Sequence, residues 1–363
     1  MEVNHERAVN LITGSAEQGY IPAIEKLVSM YNSGEGVSRD YHKAVEWQKL
    51  LVEERKKKYE SNPGETTALI LLSDLWDLGD AYQALGQLSS AQNTYEEMRC
   101  FSEQFSQKYT DKRFTRYQSV SYNKLGDIAK AQGKLSDAEE WYRKGLAIAE
   151  ELEKETGTVE EARRDLSISY NNLGNLAKAQ GKLSDAEEWY HKCHTLLETL
   201  AEETGTLEAR LDLVVSCNHL GDIAKAQGRL RKAEEWHRKG LVIFEALAEE
   251  TGTVEARNDL SSNYKRLVAI AQVQGKLSDA EKWYRKCLAI NAALAEEVQT
   301  FKSYDDLAVS CYRIGKLTAN QAMLEQALVI WEKLAEFFPE NPKYRRFADI
   351  VKKVLQALFP DSD

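Results

Sequence analysis

Proline is scarce in this sequence, and long apolar runs are absent. Five of the 363 residues are proline, whereas alanine, leucine, glutamate and lysine are abundant, which favours helix over sheet. No apolar run is long enough to cross a bilayer, and the polar start MEVNHERAVN lacks the apolar segment of a signal peptide. These absences predict a soluble helical protein that does not interact with membranes.

Positive charge is in deficit. The chain has 48 Lys and Arg against 58 Asp and Glu, and its formal net charge is -10. A negative field repels phosphate, so nucleic acid is not expected as a partner. The five cysteines form no CxxC pair, which predicts reduced thiols and a cytoplasmic location.

Signatures of catalysis are also missing. The sequence contains no glycine-rich phosphate loop, no HExxH and no GxSxG, and its six histidines are scattered. We therefore expect a protein that is not an enzyme and needs no cofactor.

A segment of about 47 residues repeats along the chain. A Leu-Gly step recurs at intervals of 47 or 48 residues, with valine in place of glycine in the fifth copy: Gly79, Gly126, Gly174, Gly221, Val268 and Gly315. In five copies a second glycine follows seven residues later, and an aromatic residue is common at the sixteenth position. Apolar stripes at helical spacing flank that second glycine, and the motif ETGT ends three copies. Each unit therefore reads as two helices joined by a glycine turn.

The pattern L-G-x-x-A, a turn glycine and A-x-x-x-Y resembles the tetratricopeptide repeat, roughly over residues 71–359. That repeat usually has about 34 residues, so the longer period here predicts that both helices are extended. Repeats of the form x-N-N-L-G are similar to those of kinesin light chain. The resemblance implies an all-α fold, a right-handed superhelical α-solenoid of antiparallel helical hairpins.

The ends of the chain differ from the repeats. Residues 16–47 resemble a Sel1-like repeat, and residues 7–19 look like the second helix of such a repeat without its first helix. We predict a Sel1-like region at 1–62, an array of about six repeats at 63–340, and a capping helix with a tail at 341–363.

Four cysteines occupy repeat positions that other copies fill with glycine or tyrosine. The successive pairs are Gly145–Tyr170, Cys193–Cys217, Gly240–Tyr264 and Cys287–Cys311. This alternation predicts an exchange of side-chain volume across one contact between repeats. The cysteines and histidines between positions 193 and 219 could otherwise bind zinc, but their repeat positions favour packing, and no metal is predicted.

The first helix of each hairpin carries the candidate binding surface. In a tetratricopeptide hairpin this helix lines the concave side, and steps of three or four residues along it give ladders of Asn, Asp and Lys. A carboxamide both donates and accepts, so an asparagine ladder suits an extended peptide. The predicted peptide-binding residues are Asn123, Asp127, Lys130, Arg163, Asn171, Asn175, Lys178, Arg210, Asn218, Asp222, Lys225, Arg257 and Lys265.

The resemblance to kinesin light chain implies that Asn123, Asn171 and Asn218 clamp a cargo peptide, with Lys265 interrupting the ladder. Seven of the thirteen predicted residues are basic and two are acidic, which predicts an acidic peptide. The alternative is that near-identical repeats copy these residues without any binding role.

The predicted function is a non-enzymatic scaffold that binds a protein or peptide. One alternative is a regulatory or sensor arm of a larger multidomain protein, switched by a peptide or by intramolecular docking. Another is self-assembly through the ends of the array, although a monomer is favoured.

Overall fold

The computed structural model describes residues 2–156 and 160–360 of the chain. Within these ranges every regular element is an α-helix, which confirms the predicted all-α class. The chain divides into two compact units, Met1–Leu196 and Leu197–Asp363. No helix in the described ranges combines the length and the apolar character that crossing a bilayer requires.

The first unit begins with three helices and continues with the repeated hairpins. Its helices are α1 (Glu2–Glu17), α2 (Ile21–Ser33), α3 (Tyr41–Ser61), α4 (Glu65–Ala84), α5 (Leu88–Lys108), α6 (Lys112–Ala131), α7 (Leu135–Thr156), α8 (Glu160–Ala179) and the start of α9 (Leu183–Thr204). Consecutive helices such as α4 and α5, or α6 and α7, pack against each other, and α6 also contacts α4 and α8.

The second unit contains the end of α9 and seven further helices. These are α10 (Leu207–Ala226), α11 (Leu230–Thr251), α12 (Val254–Val273), α13 (Leu277–Val298), α14 (Phe301–Thr318), α15 (Gln321–Phe337) and α16 (Pro342–Leu358). The last helix packs on α15 and buries Val351 completely.

A glycine and an aromatic residue close four of the hairpins, those of Gly79, Gly126, Gly174 and Gly221. A Cβ atom at Gly126 would lie 2.5 Å from the Tyr142 ring, and Tyr142 is fully buried. The same relation joins Gly79 to Tyr95 and Gly174 to Tyr190. The Leu-Gly step therefore lets the two helices of a hairpin approach until the ring lies against the backbone.

The predicted turns are present. The turn glycines share left-handed backbone, with φ between +71° and +77°, at Gly86, Gly133, Gly181, Gly228 and Gly275. In the ETGT motifs, Thr206 and Thr253 cap α10 and α12, and Gly205 and Gly252 also have positive φ. The first copy, at 155–158, lies mostly outside the described residues. Helices of 20 or 22 residues confirm that the longer period extends both helices.

A buried polar cluster links three helices of the second unit. Asn291 of α13 is 2% exposed, and its Oδ1 accepts from Ser261 Oγ of α12 at 3.1 Å. Its Nδ2 donates to Ser310 Oγ of α14 at 2.8 Å and to the Asp306 carbonyl at 3.1 Å. The three preceding repeats carry apolar side chains at the position of Asn291, so this contact differs from theirs in chemistry.

The four repeat cysteines are buried, and Cys100 is exposed. The predicted volume exchange is wrong for the glycines. A Cβ atom at Gly145 would first meet Ser119 and Asn123, and one at Gly240 would first meet Cys217. Each glycine therefore faces the first helix of its own hairpin, and the tyrosine expected as its partner stacks on a tryptophan instead.

The predicted domain limits at 62 and 340 remain predictions. Breaks between helices lie close to both, since α3 ends at Ser61 and α16 begins at Pro342. The division into compact units falls elsewhere, at Leu196.

Candidate protein-binding face

Four of the first helices, α6, α8, α10 and α12, carry a row of mostly part-buried or exposed side chains, which we call the outward row. It consists of the residues six and two before, and one and five after, the Leu-Gly glycine or its valine equivalent. The row contains Val120, Lys124, Asp127 and Ala131 of α6; Ile168, Asn172, Asn175 and Ala179 of α8; Val215, His219, Asp222 and Ala226 of α10; and Ser262, Arg266, Ala269 and Val273 of α12. Ile168 is 45% exposed and Val273 is 64% exposed, whereas Val120 is buried.

The predicted row is rotated from the outward row. The two rows share the position after the glycine, but the predicted asparagines lie one residue before the outward one, about 100° around the helix. Asn171 was predicted to face a ligand, whereas its neighbour Asn172 lies in the outward row.

Asn123 does not lie on the open face. It is 7% exposed, and its Nδ2 donates to Ser169 Oγ of α8 at 3.0 Å. Its Oδ1 is buried and has no hydrogen-bond partner. The prediction that Asn123 faces a ligand is therefore wrong, because the residue fills the junction between two hairpins.

Asn218 has a similar place in the second unit. Its Oδ1 accepts from Asn263 Nδ2 of α12 at 3.3 Å and lies 3.3 Å from His237 Nδ1 of α11. Asn171 is part-buried, with a buried Oδ1 that has no hydrogen-bond partner. At the same repeat position, Lys265 Nζ contacts Asp306 Oδ1 at 3.4 Å. These side chains therefore lie in contacts between helices of the fold.

The predicted arginines are also engaged within the fold. Arg210 pairs with Glu250 at 2.7 Å, and Arg257 with Glu297 at 2.7 Å, each tying the start of a first helix to the end of the second helix. Arg163 lies 3.7 Å from Glu153. The expected surplus of positive charge on the binding face is therefore reduced, since these arginines neutralise glutamates at one edge of their hairpins.

Three predicted residues do lie in the outward row, and the closing aromatic position anchors each of them. Tyr142 donates to Asp127 Oδ1 at 2.6 Å, and Tyr190 donates to Asn175 Oδ1 at 2.8 Å. Asp222 Oδ1 lies 3.7 Å from His237 Nε2.

Two ionisable groups at this closing position have shifted pKa values. Burial, with the nearby Asp127 carboxylate, raises the pKa of Tyr142, so its hydroxyl remains a donor. Burial lowers the pKa of His237 to about 4, so it is neutral at physiological pH.

The other three predicted lysines, Lys130, Lys178 and Lys225, differ in their contacts. Lys130 Nζ lies 3.6 Å from Asp127, whereas Lys178 and Lys225 are exposed near the ends of α8 and α10.

The predicted site did not include the residues two positions before the Leu-Gly glycine or its valine equivalent. Lys124 Nζ contacts Asp80 Oδ1 at 2.5 Å, and Arg266 pairs with Asp222 at 2.8 Å, so a base of one repeat meets an acid of the preceding one. The sequence did carry a signal, namely a basic residue 44 positions after an acidic one in both pairs.

Metal chemistry finds no support in the described ranges, where no three His, Cys, Asp or Glu side chains gather as ligands.

A family model, the tetratricopeptide repeat, matches residues 120–165 and 168–203. No curated protein matches the sequence. The match confirms the predicted repeat for these two segments, and the Sel1-like resemblance of the start remains a prediction.

Solved structures share the fold at low identity. BtubC (BKLC) from P. vanneervenii is 22% identical, with 70% of this chain and 92% of that chain covered and a TM-score of 0.57. The nuclear import adaptor Nro1 from S. pombe is 12% identical, with 79% and 99% covered and a TM-score of 0.55. A putative kinesin light chain from Podosopora anserina is 18% identical, with 61% and 95% covered and a TM-score of 0.46. At these identities the likeness concerns the fold alone.

Proposed function

We propose, on the basis of the tetratricopeptide repeats, that this chain is a non-enzymatic scaffold. It binds an extended peptide segment of a protein partner. The proposed contact surface is the part of the outward row that lies on α6 and α8 of the first unit. The supporting observation is an exposed aliphatic side chain, Ile168, on the same face as the amides of Asn172 and Asn175.

The amides provide the polar half of this surface. Tyr190 holds Asn175 Oδ1, so the Nδ2 group is the one oriented to donate to a peptide carbonyl. Asn172, one turn earlier, adds a second carboxamide. Each such bond contributes about 0.5–1.5 kcal/mol net, so several along the row are needed for micromolar binding.

A preference for acidic peptides depends on a small number of basic side chains. Lys124 and Arg266 are paired with Asp80 and Asp222. Lys178 and Lys225 are the exposed lysines that would attract a carboxylate. We place the protein in a reducing compartment such as the cytoplasm, because its sequence has five cysteines and no CxxC pair. The alternative function as a regulatory arm stays a prediction.

Affinity capture tests this proposal. Ile168→Asp combined with Asn172→Ala should reduce the amount of each specifically captured protein about tenfold or more, since both changes fall on the outward row. Quantitative mass spectrometry of proteins captured from cytoplasmic extract measures the loss.

The matched control is Val242→Asp, which alters an aliphatic residue that is 68% exposed on the second helix α11. It should leave capture unchanged. If the outward-row variant folds like the wild type and captures the same proteins in the same amounts, the proposed surface is wrong.

A further inference from the structure

The last repeated hairpin carries an open apolar groove at one edge. The start of α14 and the second half of α15 enclose a cavity of about 380 Å³, lined by Phe301, Tyr304, Val329, Lys333 and Phe337 among others. The Phe301 and Phe337 rings lie 6.0 Å apart, and both are half or more exposed, at 50% and 69%. This volume is at the lower end of the range of ligand pockets, about 300–1,000 Å³.

The two preceding hairpins close the same edge with an ion pair. Arg210 and Arg257 occupy the position of Tyr304, eleven residues before the glycine or its equivalent. Each arginine reaches a glutamate at the end of the following helix, Glu250 or Glu297, at 2.7 Å. In the last hairpin tyrosine replaces the arginine, and the end of α15 presents Phe337. The last hairpin therefore has an apolar opening at the edge where the two preceding hairpins have an ion pair.

Exposed apolar side chains concentrate around this opening. Tyr304 is 37% exposed and Val329 is 49% exposed, in addition to the two phenylalanines. Scattered exposed apolar residues are normal, but a cluster around a cavity marks an interaction site. Lys333, one helical turn from Val329, contributes a positive charge to the lining.

We propose that this groove is a second docking site, separate from the outward row, for a peptide segment with a large apolar side chain next to a carboxylate. The apolar side chain enters between Phe301, Val329 and Phe337, where an aromatic anchor loses most contact with water. The carboxylate pairs with the Lys333 ammonium, which gives the site its charge preference. The occupant is a segment of a protein partner that carries this carboxylate, since Lys333 is the charged member of a lining that is otherwise uncharged.

Fluorescence anisotropy with three labelled peptides tests the proposal on the full chain. The first peptide places tryptophan between two aspartates, the second places it between two lysines, and the third replaces the tryptophan of the first by alanine. The wild type should bind the first peptide about tenfold more tightly than either of the others. Lys333→Glu should reverse the charge preference and favour the lysine peptide. A purely structural lysine would not produce that reversal.

Val329→Asp should abolish binding, whereas Val242→Asp, an equivalent change on another second helix, should not affect it. Val329 and Val242 are 49% and 68% exposed, so both variants should fold, which circular dichroism checks. The Ile168→Asp variant should retain binding, which separates this site from the proposed function.

The proposal is overturned if no peptide binds at about 1 mM, or if Lys333→Glu leaves the preference unchanged. It is also overturned if Ile168→Asp removes binding. Dimerisation in sedimentation velocity that Val329→Asp abolishes, without peptide binding, would assign the groove to a second copy instead.

Discussion

At the scale of single residues, His237 is the unusual member of a repeated position. The two preceding hairpins place Tyr142 and Tyr190 there, and their hydroxyls donate to the outward row. His237 is 1% exposed against Gly221, with Asn218 and Asp222 beside its two ring nitrogens. Burial lowers its pKa to about 4, although the Asp222 carboxylate opposes that shift.

This burial predicts a pH-dependent loss of stability. The unfolded histidine has a pKa of 6.5, so below that pH the unfolded chain binds a proton that the folded chain does not. The contribution is fully present above pH 6.5 and is lost as the pH falls towards 4, by up to roughly 3 kcal/mol.

Urea unfolding at several pH values between 7.5 and 4, for the wild type and His237→Tyr, measures the effect. Carboxylates titrate in both proteins, so the difference between the two curves isolates the histidine. Parallel curves over this range would contradict the assignment.

At the scale of helices and hairpins, the sequence predicts the elements better than their faces. The turns follow from local chemistry, because the glycines at 86, 133 and 181 adopt the left-handed backbone that other residues avoid. The hairpin follows from apolar spacing and from the Leu-Gly step.

The orientation of the first helix is not local. Asn171 and Asn172 are adjacent, chemically identical and both part-buried, so the residue types alone do not show which of them belongs to the outward row. For the same reason the arginines looked available in the sequence, since their glutamate partners lie 40 residues away. A stripe of polar residues thus predicts an amphipathic helix. It does not show whether those residues lie at a junction between hairpins or on a face that binds a ligand.

The contact between glycine and ring predicts a steric effect on one hairpin. Gly126→Ala places a Cβ atom 2.5 Å from the Tyr142 ring, which must shift within the core. We expect a loss of about 1–3 kcal/mol in the free energy of unfolding. Thermal and urea unfolding followed by circular dichroism measure it.

Gly14→Ala is the matched control. Gly14 lies within α1, and an added Cβ atom would meet nothing within 4 Å. Because alanine favours helix, this variant should be as stable as the wild type or up to about 1 kcal/mol more stable. Equal losses in both variants would show that the ring contact is not the cause.

At the scale of the whole molecule, the cysteines report on both units. Cys100 is exposed, whereas Cys193, Cys217, Cys287 and Cys311 are buried. Burial raises the pKa of Cys217 to about 12, and those of Cys287 and Cys311 to about 11. A buried thiol held in its protonated form reacts only when the structure around it opens.

Thiol labelling at pH 8 should therefore modify one cysteine rapidly and four slowly. The four slow rates should differ, because repeat arrays open in separate segments. Mass spectrometry of peptides after timed labelling measures each rate, with Cys100→Ser as the control that removes the fast phase. Labelling of Cys287 as rapidly as Cys100 would show that the described burial does not hold in solution.

The polar cluster at Asn291 has a consequence for the order of the hairpins. Its position in five successive repeats holds Ser102, Ala149, Leu197, Phe244 and Asn291, all buried, although the central repeats otherwise read almost alike. Near-identical hairpins risk mispairing during folding, with one docking where its neighbour belongs. Different sizes and chemistries at one interior position make such exchanges costly, because a misplaced Asn291 loses partners and a misplaced Phe244 does not fit. The residue at this one position therefore distinguishes each hairpin from its neighbours during folding.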